Sequence, residues 1–264
     1  MSPTASSDPI LFYDIASGPP IRPFAPNPWK TRYALNFKRA NYATQWVDLS
    51  DVTATRKRLG ASPVRFFSDG EPFYTLPAIE DPSAGGTVVV VGDSFDIAVY
   101  LDKKYPGDSG ATNPRPRPRL FRDPATIGVY AAFNAHMDSL FTAAAPLCAQ
   151  GMPFNPATAE ACKAEFCRRA GAQNYDELVL RGEKRRELLR AFQTGASAEA
   201  ARCFRFSSSP FVGGGEEPDY ADLIVGGWLM FLSGTVPEWE EIRTWHGGLW
   251  GRLHEALEPY RGTW

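Results

Sequence analysis

The chain is 264 residues long, 44% hydrophobic and 22% charged, enough for one large domain or two modest ones with proper cores. Its formal net charge of −2 supplies no global field for a polyanion or an acidic membrane, which argues against nucleic acid as the main partner. Met1 to Pro9 lacks a basic region followed by an apolar one, and the most apolar helical stretch, Leu223 to Leu232, is too short to span a bilayer, so the cytoplasm is the expected compartment.

Ile10-Leu11-Phe12-Tyr13 is a short apolar run closed by Asp14 and a Gly-Pro-Pro turn, and it predicts a strand. Trp29, Tyr33 and Phe37 recur on one face of a helix. Tyr42 to Leu49 is strand-like, and Thr53 to Gly60 reads as a short basic helix closed by a glycine. Leu76 to Glu80 and Thr87 to Val91 make two more strands around the turn Pro82-Ser83-Ala84-Gly85-Gly86. The β-branched run Val88 to Val91 suits a strand with both faces covered. A helix follows from Asp93 to about Tyr105, with Ile97, Tyr100, Leu101 and Lys104 at helical spacing. Periodicity alone gives an α/β domain.

Residues 106–119, rich in alternating prolines, cannot join a helix or a central strand, because proline removes donors and favours an extended chain. We read them as a stiff, solvated linker rather than as a polyproline ligand or as an anion-binding arm of Arg115, Arg117 and Arg119. Past Asp123 the strand signals stop. Helical patterns run from Ala125 to Ala149, Pro156 to Arg169, Tyr175 to Gln193, Asp219 to Leu232 and Pro237 to Leu257. The expected organisation is a first domain at 1–106, a linker at 107–122 and an all-helical domain at 123–264. In Asp219-Tyr220-Ala221-Asp222, Asp219 can cap its helix while Asp222 reaches back to the cap's amide, with Pro218 placed to staple onto Leu223.

Cys148, Cys162, Cys167 and Cys203 include no C-x-x-C pair, and with His136, His246 and His254 they suit no structural zinc site, so we read buried thiols and expect no metal. Three elements carry chemistry. Phe24-Ala25-Pro26-Asn27-Pro28-Trp29-Lys30-Thr31-Arg32-Tyr33-Ala34-Leu35 is a loop that turns into a helix just after the first strand. In Tyr74-Thr75-Leu76-Pro77-Ala78-Ile79 the proline bond is either trans at a strand start or cis, turning the N–H and C=O of Leu76 outward to pair with an extended peptide. Asp93-Ser94 opens a helix whose free N–H groups and dipole favour an anion at Ser94, while Asp93 can hold an ammonium. Asp93 can equally act as an N-cap, with Asp96 completing a capping box.

In this order the elements resemble the cytosolic glutathione transferases. The first resembles the family run Ser-Pro-x-x-x-(Lys/Arg)-x-Arg-x-Ala-Leu, whose serine hydroxyl meets the glutathione sulfur, and here Ala25 stands in the serine's place. The resemblance implies a thioredoxin-like first domain followed by an all-helical one, and a cis bond at Pro77. It also implies glutathione as co-substrate on Leu76, Pro77, Asp93 and Ser94, and a homodimer pairing the first domain of one subunit with the second of the other. The long loop from Ile21 to Trp29, the Trp-Lys-Thr-Arg-Tyr-Ala-Leu signature and the insertion from Ser62 to Phe73 resemble the fungus-specific, etherase-like class of wood-decay basidiomycetes. That class implies aryl ethers, glutathionyl-acetophenones and plant phenolics as ligands. Phe24, Trp29, Tyr130, Phe133 and His136 lie where the family builds its hydrophobic pocket, and each also suits ordinary core.

Losing a hydrogen bond to a charged acceptor, worth about 1.5 to 3 kcal/mol, would raise the bound thiol's pKa by roughly one to two units. Asn27 offers an amide in compensation, and the helix-start amides from Asn27 to Lys30, Pro28 excepted, aim partial positive charge at the sulfur. Tyr13 stands where other classes carry a catalytic tyrosine, though it also suits packing under Trp29 and Tyr33. No cysteine precedes Cys148, which removes the family's cysteine-based chemistry. Three readings stand: a glutathione-conjugating or ether-cleaving transferase of reduced rate that uses Asn27 and backbone dipoles, with detoxification as its expected role; a non-catalytic binding protein (ligandin) for glutathione adducts or phenolics; and a scaffold that binds no tripeptide.

Overall fold

The computed structural model describes residues 8–82, 87–106 and 117–263. The first part is a four-stranded sheet in the order β2-β1-β5-β6, made by Ile10–Ile15 (β1), Tyr42–Val47 (β2), Ala78–Asp81 (β5) and Val89–Gly92 (β6). β1 pairs parallel with β2, which requires a crossover, and the helix Pro26–Phe37 (α1) supplies it. β5 and β6 are antiparallel neighbours, and the Ser83 to Gly86 part of their expected turn lies outside the described residues. Val52–Arg58 (α2) and Ser94–Lys104 (α3) complete the thioredoxin-like order.

β1 is buried on both faces, and Phe12 and Asp14 are fully enclosed. A carboxylate there needs a partner, and Arg32 of α1 supplies one at 2.7 Å, with Phe12 and Trp46 flanking its guanidinium. Burial nevertheless pushes the Asp14 carboxyl up to about 6. The expectation of a strand covered on both faces at Val88 to Val91 is corrected. β6 is the sheet edge, its residues are half-buried, and Val88 is 55% exposed. The insertion holds a small hairpin that its sequence did not announce, Arg65–Phe66 (β3) against Pro72–Phe73 (β4).

The second part is helical: Ile127–Thr142 (α4), Ala145–Cys148 (α5), Ala159–Ala170 (α6), Gly182–Thr194 (α7), Ala196–Arg202 (α8), Tyr220–Thr235 (α9), Trp239–Ile242 (α10) and Trp245–Ala256 (α11). The single helix expected over Ala125 to Ala149 breaks before Pro146, which sits in the first turn of α5 and cannot extend the ladder behind it. The helix expected over Tyr175 to Gln193 begins only at Gly182. The one expected over Pro237 to Leu257 is interrupted where His246, Gly247 and Gly248 all take positive φ. Of the expected linker, residues 107–116 lie outside the described residues, but Leu120 and Phe121 are fully buried and Lys38 donates to the Pro118 carbonyl at 2.8 Å. Within the segment read as solvated, Arg117 and Pro118 are half-buried and Arg119 is exposed, and the packed residues Leu120 and Phe121 follow directly after it.

The halves meet along α1 and α9. α9 is buried almost all round, and the capping box forms as expected, with Asp219 accepting from the Ala221 amide and Asp222 from the Asp219 amide. Gly227 lets the helices close: a Cβ there would lie 2.6 Å from the Pro26 carbonyl oxygen. Beside it, fully buried Lys30 donates to Asn134 and Asp138 of α4, at 2.9 and 2.5 Å, and Trp228 of α9 donates to the same Asp138 oxygen. No helix among the described residues is long and apolar enough to cross a membrane.

Candidate active site

Three chain segments converge where α1, β5 and α3 begin. Ala25 is the N-cap of α1, extended at φ −70° and ψ 141°, and without a hydroxyl it makes no side-chain cap. The helix start is poor in donors. Pro26 and Pro28 have no N–H, and Trp29 returns its own to the Ala25 carbonyl at 3.2 Å. Asn27 alone among these first helical residues has an N–H that the helix leaves unused. The Asn27 carboxamide oxygen is buried with no donor.

The Leu76–Pro77 peptide bond is cis. The Pro77 carbonyl accepts from the Asp93 amide at 3.4 Å and from Arg56 Nη1 at 3.3 Å, which ties the start of β5 to the start of α3. Asp93 sits at φ 88°, a region costly to a non-glycine residue and one that recurs at functional sites. Its carboxylate caps the Phe95 amide at 2.8 Å. The capping box with Asp96 does not form, because the Asp93 N–H it requires is given to Pro77. Ser94 is buried, and its carbonyl accepts the Tyr220 hydroxyl at 2.8 Å.

Two cavities flank this junction. One, of about 500 Å³, lies on the Asp93 side between Arg56, Ser62, Val64, Gly92 and Asp96. The other, of about 150 Å³, is lined by Ile15, Phe24, Ala25, Pro26, Asn27, Pro28, Leu49, Thr75, Leu76, Met152, Phe166, Arg169 and Phe231. Its wall is largely apolar, with Asn27, Thr75 and Arg169 as its polar side chains. Such a concave, mostly apolar space with a few polar groups is the usual form of a small-molecule site. Among the described residues no cluster of His, Cys, Asp or Glu could hold a metal ion.

Two family models match the chain: a glutathione S-transferase N-terminal domain over residues 24–104 and a glutathione S-transferase C-terminal domain over residues 129–260. The chain belongs to the glutathione S-transferase family. Among solved structures, it resembles a glutathione S-transferase of Ceriporiopsis subvermispora in complex with glutathione, at 31% identity and TM-score 0.81, covering 97% of this chain and 99% of that one. A second transferase from the same fungus, also with glutathione, matches at 30% identity and TM-score 0.78, covering 95% and 98%. Glutathione transferase GSTFuA3 from Phanerochaete chrysosporium matches at 26% identity and TM-score 0.78, covering 98% and 99%. A search of the curated proteins finds no match.

Within this glutathione transferase fold the residues expected around the catalytic position separate. Ala25, Asn27 and Leu76 share the smaller cavity, and Phe24 lines it with them. Pro77, Asp93 and Ser94 lie at the adjoining junction. The other pocket candidates lie elsewhere. Trp29 is turned into the core against Tyr33, their rings 5.3 Å apart. Tyr130 donates to Asp219 at 3.0 Å and packs on Phe121, and Phe133 packs against the core. His136 is half-exposed beside Glu199. Tyr13 is also off the cavity, its hydroxyl donating to Glu80 with Arg58 beside its ring, and burial raises its pKa. The helical part contributes Met152, Phe166, Arg169 and Phe231 instead. None carries a motif, and only the spacing of Phe166 and Arg169, one helical turn apart on α6, hints at a shared face.

Proposed function

We propose that this transferase-family chain binds glutathione across the junction of β5 and α3, and a hydrophobic aromatic ligand in the cavity beside Ala25. The γ-glutamyl carboxylate would rest on the helix start and hydroxyl of Ser94, the ammonium would face Asp93, and the cysteinyl backbone would pair with Leu76 beside Pro77. The observation that carries this reading is the single corner formed by Ala25, Asn27 and Leu76 on one cavity, joined to Asp93 through the Pro77 carbonyl. The glutathione complexes of the two Ceriporiopsis transferases support it.

In such a site the thiol must lose its proton before sulfur attacks an electrophilic carbon, forming the C–S bond as the leaving group departs. Ala25 offers that proton's departure no hydroxyl, and the helix adds one free N–H, that of Asn27, so conjugation or ether cleavage is slow. The same poverty of donors favours a second reading, a ligandin that holds glutathione adducts or phenolics without turnover. A homodimer in the cytoplasm is part of the proposal, to be checked by sedimentation mass. Calorimetry with glutathione and S-hexyl-glutathione, paired with a conjugation assay, separates these readings. Tight binding with slow turnover supports the enzyme, and binding with no turnover supports the ligandin. No binding, or affinity unchanged by Asp93→Ala with Ser94→Ala, ends both.

A further inference from the structure

We propose that Arg169 is the anion receptor of the cavity beside Ala25, and that the second ligand is a single-ring aromatic carboxylate. This rests on reading that cavity as the second-ligand site. Arg169 is the only charged side chain among the residues that line it. Phe24, Phe166 and Phe231 offer ring faces and edges there, and a cavity of about 150 Å³ is the size that takes one benzene-sized ring.

The guanidinium is held in place. Nε donates to Glu165 Oε1 at 2.8 Å, and Cζ lies 4.9 Å from the centroid of Phe73 in the inserted hairpin. Its side chain is 13% exposed, and Nη2 is buried with no hydrogen-bond partner. Glu165 does not neutralise it alone, because Arg168 also donates to both oxygens of that carboxylate, at 2.8 and 2.9 Å. Arg168 also faces Asp69 and Glu71, whereas Arg169 faces Arg65 and, among the described residues, has only this shared carboxylate as its ion-pair partner, so its Nη2 stands unpaired in the side chain that lines the apolar cavity. Burying a charged donor group without full pairing is costly, and a planar carboxylate matches the fork geometry of arginine. Arg169 could serve only as a tie between the hairpin and α6. Such a tie would not distinguish an acid from its amide, and the proposed receptor must.

The test is calorimetry on the full chain with cinnamate and cinnamamide, nearly isosteric probes that differ in charge. Wild type is expected to bind cinnamate about ten-fold or more tightly than cinnamamide. Arg169→Gln should bring the two within about two-fold while cinnamamide affinity holds, and Arg169→Lys should keep part of the preference. Equal affinities in wild type, or a preference that survives Arg169→Gln, overturn the proposal. If Arg169→Gln does not fold, as judged by circular dichroism, the wild-type pair and Arg169→Met decide by the same criteria. A glutathione arm distinguishes the other source of a carboxylate. If Arg169→Gln weakens glutathione about ten-fold but leaves its glycyl ethyl ester unchanged, Arg169 reads the tripeptide and the proposal fails. Wild type that prefers cinnamate yet binds no glutathione would sink the tripeptide reading and leave the receptor standing.

Discussion

The phenol of Tyr220 donates to the main-chain carbonyl of Ser94 at 2.8 Å, so the first residue of α9 is bonded to the first residue of α3. Both residues are buried, and Tyr220 follows directly on Asp219, whose carboxylate is engaged by Arg122 and Tyr130. The position of the Asp93-Ser94 helix start is thus set partly by the core helix of the other domain.

Tyr220→Phe keeps the ring and leaves the Ser94 carbonyl without its donor, which should cost about 1 to 3 kcal/mol of stability. Glutathione affinity should fall with it. Tyr13→Phe, which removes a hydrogen bond to Glu80 away from the cavity, is the control and should leave that affinity unchanged. Equal affinities for the two variants would mean that α9 does not hold the Ser94 helix start for the ligand.

The contact of α1 with α9 makes a prediction about glycine. A methyl group at position 227 would meet the Pro26 carbonyl oxygen at 2.6 Å and Lys30 Cγ at 2.8 Å, whereas one at Gly234 in the same helix meets nothing within 4 Å. Gly227→Ala should therefore destabilise by about 1 to 3 kcal/mol, and Gly234→Ala should be neutral or stabilising by up to about 1 kcal/mol. Denaturant unfolding measures both, and similar values for the two would contradict the close approach at Gly227.

Burial raises the Asp222 carboxyl from 3.8 to about 7. The folded protein then holds more protons at this site than the unfolded chain between those values, so its contribution to stability is present at low pH and lost as pH rises through that window. Asp14 acts in the same direction, while half-buried His254, lowered to about 4 mainly by desolvation, acts in the opposite one. The clean reading is a difference between proteins. The melting temperature of wild type minus that of Asp222→Asn should decrease from about pH 4.5 to about pH 7.5. A difference that is constant or rises would show that Asp222 ionises normally.

Much of the first domain was legible because local signals and tertiary role agreed. The strand at Ile10 and the helix face of Trp29, Tyr33 and Phe37 follow from spacing, whereas the junction of Pro77 with Asp93 was legible only through the resemblance to the family. The same helix face misled the pocket reading, since the core claimed Trp29. The hairpin of β3 and β4 is only two residues deep on each side, too short for an alternating pattern. Arg169 and Phe166 reach the cavity from α6, whose Arg168 and Arg169 pack on Phe67 and Phe73, a tertiary fact with no local signature beyond their one-turn spacing. The break in the last helix was half legible: Gly247 and Gly248 announce it, but His246 at φ 54° does not.

In the proposed site Ala25 stands where a hydroxyl would meet the sulfur, so the glutathione corner would be kept while its main donor to the sulfur is lost. The direct measurement is the pKa of the bound glutathione thiol, followed by the thiolate's ultraviolet absorbance across pH in wild type and in Ala25→Ser. The serine adds one small atom at an N-cap position that favours it, so folding should not obscure the result. The expected wild-type value is near that of a free thiol, about 8.5, with a fall of roughly one to two units in Ala25→Ser and conjugation at neutral pH rising about ten-fold or more. A wild-type thiol already well below the free value, unmoved by the serine but raised by Asn27→Ala, would contradict it and assign the donor's role to the Asn27 amide.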